Sequence, residues 1–439
     1  MNNSTIVMHG VVDQLVNVRV GIIRGVREIP LRAGSPSFFH YGALACSTEA
    51  LGYEPNFSEV GGASISRDIA LAKAIGEGVE RYCSALFDVN EFPLCSYSEA
   101  DFECVDPLSF ALYTDEQYQQ KDFIFKPFSR STTIRWVRSL NLLTNRTIYV
   151  PAGAVFVPYM YYIDSGDTPI IQPISTGLAC HGTSTQATIS AICEVVERDA
   201  FTTVWQAGLS PPIVRTDTLD DRNRNIADRF KRPGVELTIF DITTDCQIPT
   251  IMAFLRDHSP ESPAVTVAAA TDPNSSRAVC KALEELAHTR MYMQQLAEEH
   301  GSDLPLSATD VRDQKGHLVF YIPQENARWT DFLFDNPRER HFKDIRNIAL
   351  SDASMTLSAI LETLRRVVPV VAITDITSTD VRELGLSVVR AVIPGLNPLC
   401  MGHQYRALGG RRCIDVPRRL GLRRAFPEDS DNPAPHPFP

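Results

Sequence analysis

The segment Glu77-Gly-Val-Glu-Arg81 recurs far downstream as Glu194-Val-Val-Glu-Arg198, with a weaker third copy in Glu284-Glu-Leu-Ala-His-Thr-Arg290. So wide a separation argues for similar helices in different parts of one fold rather than for a solenoid. Advancing about 100° per residue, Lys73, Glu77 and Glu80 fall on one face of the first helix. Ser190, Glu194 and Glu197 take the same relative places on the second, and Lys281, Glu285 and His288 on the third. Any fold for this chain must therefore accommodate three helices that present the same polar stripe.

The remaining faces decide how that stripe is to be read. Ile189, Ala191, Ile192, Cys193, Val195 and Val196 surround the second pair of glutamates, and Leu71, Ala72, Ala74, Ile75 and Val79 the first. Helices apolar nearly all round are buried, so carboxylates of like charge are expected inside the protein. Glu77–Arg81 and Glu194–Arg198 have favourable i,i+4 spacing, which accounts for one glutamate per helix at about 0.5 kcal/mol when exposed. Glu80 and Glu197 remain, and a buried unpaired carboxylate costs several kcal/mol or is neutralised. Multivalent cations would remove that cost. Oxygen-only donors suit Mg2+, Ca2+ or Mn2+, and Mg2+ held by a few carboxylates usually accompanies phosphates. A di-iron bundle is the rival, but it wants Glu-x-x-His on two helices, and only Glu285-Leu-Ala-His288 supplies it. Neither a P-loop nor a GxGxxG fingerprint is present. Gly61-Gly62-Ala63-Ser64 and Gly182-Thr-Ser184 precede the first two helices. They are expected to offer amides to an anion, or to be plain turns with an N-cap.

Strands are predicted at 135–140, 147–150, 236–241, 250–255, 265–270 and 370–375, and helices at 65–86, 185–203, 277–296 and 353–367. The strands come in groups rather than in strict alternation with helices, which makes the class α+β. No linker divides residues 45–425, read as one large domain after an N-terminal segment 1–44. Residues 426–439 form an acidic tail whose prolines at 433, 435, 437 and 439 favour an extended strand. The net charge of −11 argues against a nucleic-acid partner. Ten scattered cysteines without CxxC or zinc spacing fit a reducing cytoplasm, and no apolar run is long enough for a signal peptide or a membrane span.

Ala70-Leu-Ala-Lys-Ala-Ile-Gly-Glu-Gly-Val-Glu-Arg-Tyr82 resembles the first signature of the YcaO family, and Cys180-His-Gly-Thr-Ser with Glu194-Val-Val-Glu-Arg-Asp-Ala200 resembles the second. Ala278-Val-Cys-Lys-Ala-Leu-Glu-Glu285 is similar to the third; Asp375-Ile-Thr377, Gly385-Leu-Ser-Val-Val-Arg390 and Val392-Ile-Pro-Gly395 read like its C-terminal half. The likeness covers roughly residues 40–439. It implies a YcaO ATP-binding fold of sheets packed with helices, holding ATP and Mg2+ between three acidic helices. Glu77, Glu80, Glu194, Glu197 and Glu285 resemble the metal ligands, while Lys73, Ser190, Lys281 and Glu284 fall where nucleotide contacts are expected. Lys73, Ser190 and Lys281 depart from side chains common at those places (Ser, Asn and Arg). Pro435-His-Pro-Phe-Pro439 matches the PxPxP ending of azoline-forming members, which implies a tail reaching the active site and a catalytic α-carboxylate on Pro439.

The implied reaction is ATP-dependent cyclodehydration of Cys, Ser or Thr in a ribosomally made precursor peptide. It yields thiazoline or oxazoline through phosphorylation of the backbone amide oxygen. Thioamide or amidine formation by the same ATP chemistry is the alternative, as is a non-catalytic ATP-binding scaffold. The stretch before residue 45 is too short for the clamp domain fused to some relatives, so a separate E1-like partner that binds the leader peptide is expected. A flavin-dependent azoline dehydrogenase could join them. The protein is expected in the cytoplasm.

Overall fold

Glycine-containing and β-branched runs pair into three mostly antiparallel sheets, and a long acidic helix packs on each. The computed structural model describes residues 10–439 apart from 33, 302–303, 305–306, 336–337 and 429. The first nine residues of the N-terminal segment and Asp429 of the tail thus lie outside the described residues. In the first sheet β1 (Ile23–Glu28), β2 (Phe39–Ala45) and β3 (Glu59–Ser64) run antiparallel under helix α1 (Arg67–Ala85). Ile23, Ala43 and Ala45 pack with Ala74, Ile75, Val79 and Cys83 of the helix. Residues 23–44, which the sequence sets apart as a leading segment, thus supply two strands of the platform beneath the first ExxER motif.

A second sheet joins Leu94–Cys95, β4 (Ile134–Asn141) with its hairpin partner β5 (Arg146–Pro151), and β6 (Leu178–His181) to two strands near the C-terminus. Helix α2 (Ser184–Ala207) packs on this sheet through Ala187, Ala191, Ile192 and Val196. Its Thr183 N-cap accepts the Gln186 N–H at 3.3 Å, so Gly182-Thr-Ser184 is the plain capped turn.

The third sheet is built on β7 (Val235–Asp241), β8 (Thr250–Asp257) and β9 (Val265–Thr271). Its side chains alternate strictly. Ile239, Ile251, Ala253, Leu255, Ala268 and Ala270 meet helix α3 (Ser275–His300). Phe240, Met252, Phe254, Val265 and Val267 meet Phe201, Val204 and Trp205 of α2 on the other face. Both faces being covered, the strands read as continuous apolar runs, which is why they stand out in the sequence. Helix α4 (Ala353–Leu364), β10 (Ala372–Asp375), β11 (Ser387–Val392) and helix α5 (Arg412–Leu420) complete the chain; β10 and β11 close the second sheet between β4 and β6.

The predicted strands and helices are all present, with ends that differ by a few residues. Gly61–Ser64 is the exception to the local reading. These residues belong to β3 rather than to an anion-binding turn. A Cβ on Gly62 would lie 2.6 Å from Cβ of Lys73, so the strand can reach α1 only with glycine there. The three acidic helices pack on three different sheets, which removes the bundle scaffold that the di-iron reading needs.

Asp199 of α2, wholly buried, takes two bonds from Arg412 of α5 at 2.5 and 2.6 Å, and Asp245 takes a third at 2.8 Å. Removing the cation leaves a buried charge without its partner. Arg412→Met is therefore expected to lower stability by about 3–5 kcal/mol, read as a fall in the urea midpoint at unchanged m-value.

Candidate functional site

Each of the four glutamates on α1 and α2 is docked to a backbone N–H of a strand or of the residue leading into one. Glu77 accepts from Gly61 at 3.2 Å, Glu80 from Cys180 at 2.7 Å, Glu194 from Gly177 at 3.1 Å and Glu197 from Thr271 at 2.9 Å. Elements of all three sheets thereby fix one set of carboxylates. Arg81 bonds Glu77 at 2.8 Å, and Arg198 spans Glu194 at 3.3 Å and Glu197 at 3.2 Å. The i,i+4 pairs read from the sequence are present, but only as part of this arrangement. The third copy differs: Arg290 turns to buried Asp257 at 2.5 Å and takes no part in the set.

Electrostatics mark Glu80 and Glu197 as the two carboxyls left over. Burial pushes Glu80 up to about 8; Arg81 opposes it, and Glu194 and Glu77 reinforce it. Burial pushes Glu197 up to about 7, against Arg198 and with help from Glu194. On α3, burial would raise Glu285, but Lys73 and His288 hold it below the usual carboxylate range. Lys73 Nζ donates to Glu284 at 3.0 Å, to Glu285 at 3.1 Å and to the Ala63 carbonyl at 3.0 Å.

A cavity of about 290 Å³ opens among these helices. Of the residues singled out in the sequence, Lys73, Ser190, Lys281, Glu194, Glu197, Glu285 and Pro439 line it. Glu77 and Glu80 do not line it. Glu284, nearly enclosed, bonds Ser64 at 2.6 Å and reaches the cavity only through Lys73. Of the five expected glutamates, Glu194, Glu197 and Glu285 thus border the cavity. Ser190 Oγ lies 2.8 Å from His181 Nε2.

Three participants escaped the sequence reading. Asp272 lines the cavity and takes Lys281 at 2.9 Å and Arg277 at 2.9 Å; it sits in the Asp-Pro-Asn turn that caps α3, a signal visible in the sequence. Phe438, 1% exposed, packs on Phe201 with ring centroids 4.3 Å apart, while the Arg198 guanidinium stands 4.5 Å over its ring. Arg390 is buried, and Glu194 partly offsets the burial that lowers its guanidinium to about 10. Its Nε and Nη1 have no hydrogen-bond partner. No helix among the described residues is long and apolar enough to cross a membrane, and all ten cysteines are free.

Clustered carboxylate oxygens beside lysine and arginine are the donor set of a divalent cation and a phosphate-bearing nucleotide. The carboxyls of Glu80 and Glu197, which burial pushes toward the neutral form, are the features that a cation would satisfy. The YcaO family, described as "YcaO cyclodehydratase, ATP- and Mg2+-binding", matches residues 61–397, and the chain belongs to it. It is thus a member of a family of ATP- and Mg2+-binding enzymes. Its fold is similar to that of a heterocyclase solved in complex with substrate and cofactor, at 20% identity and TM-score 0.79; the match covers 99% of this chain and 57% of that one. The chain therefore spans little more than half the length of that protein. YcaO from Methanopyrus kandleri bound with AMPPCP and Mg2+ matches at 18% identity and TM-score 0.62, over 89% of this chain and 90% of that one. The Escherichia coli microcin synthetase McbBCD complex with pro-MccB17 bound matches at 16% and 0.59, over 87% and 90%.

The raised carboxyls fix the sign of a pH effect. Glu80 and Glu197 bind protons more tightly folded than unfolded, so without a cation their contribution to stability is fully present below about pH 4.5 and is lost as pH rises through 7 and 8. Thermal unfolding of metal-free protein is expected to show Tm falling by several degrees between pH 6 and 9. Saturating Mg2+ should reduce that slope, as should Glu80→Gln.

Proposed function

We propose that this protein is an ATP- and Mg2+-dependent cyclodehydratase acting on Cys, Ser or Thr residues of a ribosomally made precursor peptide to give thiazoline or oxazoline. The observation that carries the reading is that the chain terminus, Pro439, lines the same cavity as Glu194, Glu197, Lys73 and Lys281. In this reading Pro439 is placed to serve as a weak base beside the carboxylates.

In this reading Glu77, Glu80, Glu194, Glu197 and Glu285 hold Mg2+, and Glu80 and Glu197 give up the protons that burial favours. Lys73, Ser190, Lys281 and Glu284 contact the nucleotide, with Lys73 released from Glu285 and Lys281 from Asp272. ATP bound there supplies the phosphoryl group that turns an amide oxygen into a leaving group. The chain's own contribution is positioning and charge neutralisation. Lys281 and Arg198 offset negative charge at the cavity wall. The Pro439 carboxylate takes the proton from the substrate thiol or hydroxyl as it attacks the preceding carbonyl carbon. Phe438, clamped between Phe201 and Arg198, keeps that carboxylate in place.

The partners follow from the same reading: the precursor peptide, a separate E1-like clamp protein that binds its leader, and a flavin-dependent dehydrogenase where azoles are the product. Support comes from the heterocyclase, which has much chain beyond the matched part, and from the microcin synthetase, which is a complex with pro-MccB17 bound. A cytoplasmic location accords with ten free cysteines.

The test follows peptide mass with ATP, Mg2+, a Cys/Ser/Thr-rich precursor and a candidate clamp protein. Loss of one water per modified residue is expected with wild type, falling on the order of 10²-fold or more in Glu197→Gln. Removal of Pro439 should slow ring formation while leaving nucleotide binding in place. A mass that rises by exchange of oxygen for sulfur would sink the azoline reading in favour of thioamide formation. ATP hydrolysis with no change in peptide mass would also count against it.

A further inference from the structure

The tail that ends at Pro439 is held by side chains that donate to its backbone carbonyls. His403 donates to Pro433, Trp205 Nε1 to Ala434 at 3.0 Å, Tyr321 Oη to Pro435 at 2.6 Å and His317 Nδ1 to His436 at 3.1 Å. His436 Nε2 donates in turn to the Cys400 carbonyl at 2.9 Å. Prolines have no N–H, so carbonyls are what this tail mainly offers.

A carbonyl can only accept, and these bonds therefore fix where three imidazoles carry their protons. They leave three lone pairs, on His317 Nε2, His403 Nδ1 and His436 Nδ1. The first two are buried without a partner, and the third meets only the Phe438 N–H at 3.4 Å. His317 is fully enclosed, so its lone pair has no water to turn to, and a buried polar atom left unpaired is costly. The Cys400 thiol lies with them. One ligand atom from each of His317, Cys400 and His436 falls within 4.8 Å of the other two, and all three residues are buried. An imidazole whose second nitrogen is tied to a carbonyl is the form in which histidine usually binds a metal.

We infer that His317, Cys400 and His436 form a site for a zinc-class divalent cation that staples the C-terminal tail to the body of the enzyme. One thiolate and two imidazoles select such an ion and disfavour Mg2+, so the site is chemically separate from the glutamates. His403, its ring centroid 6.3 Å from that of His317, offers a fourth donor. Donors about 2.0–2.3 Å from one tetrahedral ion stand roughly 3.3–3.8 Å apart, so loading contracts the cluster by up to about 1.5 Å. The His317 and His436 rings are stacked 3.7 Å apart with 11° between planes. One ion cannot lie in both planes, so loading also tilts one ring, and Cys400 releases its proton to solvent.

Cobalt reads this directly. The full-length protein, with Mg2+ saturating the carboxylates, is titrated with Co2+ and followed by absorbance. Saturation near one equivalent is expected, with a thiolate-to-cobalt charge-transfer band and intense tetrahedral visible bands. Cys400→Ser should lose the charge-transfer band, and His436→Asn should weaken Co2+ binding at least tenfold. If Cys400→Ser does not fold, His317→Asn is read for the same loss of affinity. Absence of the band in wild type overturns the inference whatever the variants do, and so does a band that survives in Cys400→Ser. Ring formation is not the readout, so this outcome is independent of the cyclodehydratase reading.

Discussion

Glu77, Glu80, Glu194 and Glu197 repel one another in a partly desolvated cleft, where charges interact more strongly than in water. Left free, these side chains would swing apart toward solvent. The N–H groups of Gly61, Gly177, Cys180 and Thr271 prevent that by holding one oxygen of each carboxylate. Those four donors belong to, or lead into, strands of all three sheets, so the geometry of the charges depends on how the sheets are fixed relative to one another. That requirement explains why α2 packs on the second sheet through its first half and on the third through its second half. It also explains the close approach of β3 to α1, which Gly62 alone permits.

Most of this was half-legible in the chain. The glutamate stripe, its arginines and the helices that carry it follow from a periodicity of 3.6. The strands of the third sheet follow from apolar runs covered on both faces. β1, β2 and β3 were not recognised, because sequences such as IRGVRE and EVGGAS carry few large apolar side chains to signal a buried face. The N–H groups that receive the carboxylates were also out of reach. These side-chain bonds reach N–H groups 16, 17, 74 and 100 positions away, which leaves no common spacing to read, and a backbone donor has no residue identity at all. Asp272 shows the opposite case. It stands two residues before the Asn274 cap, where Asp is ordinary, and only Lys281 and Arg277 converging on it reveal a second use.

The tail illustrates the same division between pattern and partner. Alternating prolines predict an extended segment; the segment is irregular, with a bend at Ala434, and enters the largest core through Ala434 and Phe438. Its donors come from Trp205, His317, Tyr321 and His403, residues with nothing in common along the chain. Recognition of a proline-rich strand by ring N–H and O–H groups is a general solution, since such a strand presents carbonyls at preset spacing and little entropy to lose. What is specific here is that Phe438 lies between the core and Arg198, so the same guanidinium that bridges two glutamates also covers the penultimate residue of the chain.

The charges themselves indicate what the cleft is built to receive. The planar fork of Arg198 suits two carboxylates at once. Arg81 and Arg198 pair with Glu77, Glu194 and Glu197, and even with Arg390 near Glu194 the four carboxylates outnumber the guanidiniums around them. Burial is the main cause that raises Glu80 to about 8 and Glu197 to about 7, and it favours the neutral form of these two carboxyls. A divalent cation brings positive charge without the protons, and any such ligand stabilises the fold by RT ln(1 + [L]/Kd), about 2.7 kcal/mol at a hundredfold excess over Kd. The site is thus left short of positive charge by its own protein side chains, and that shortage selects the ligand.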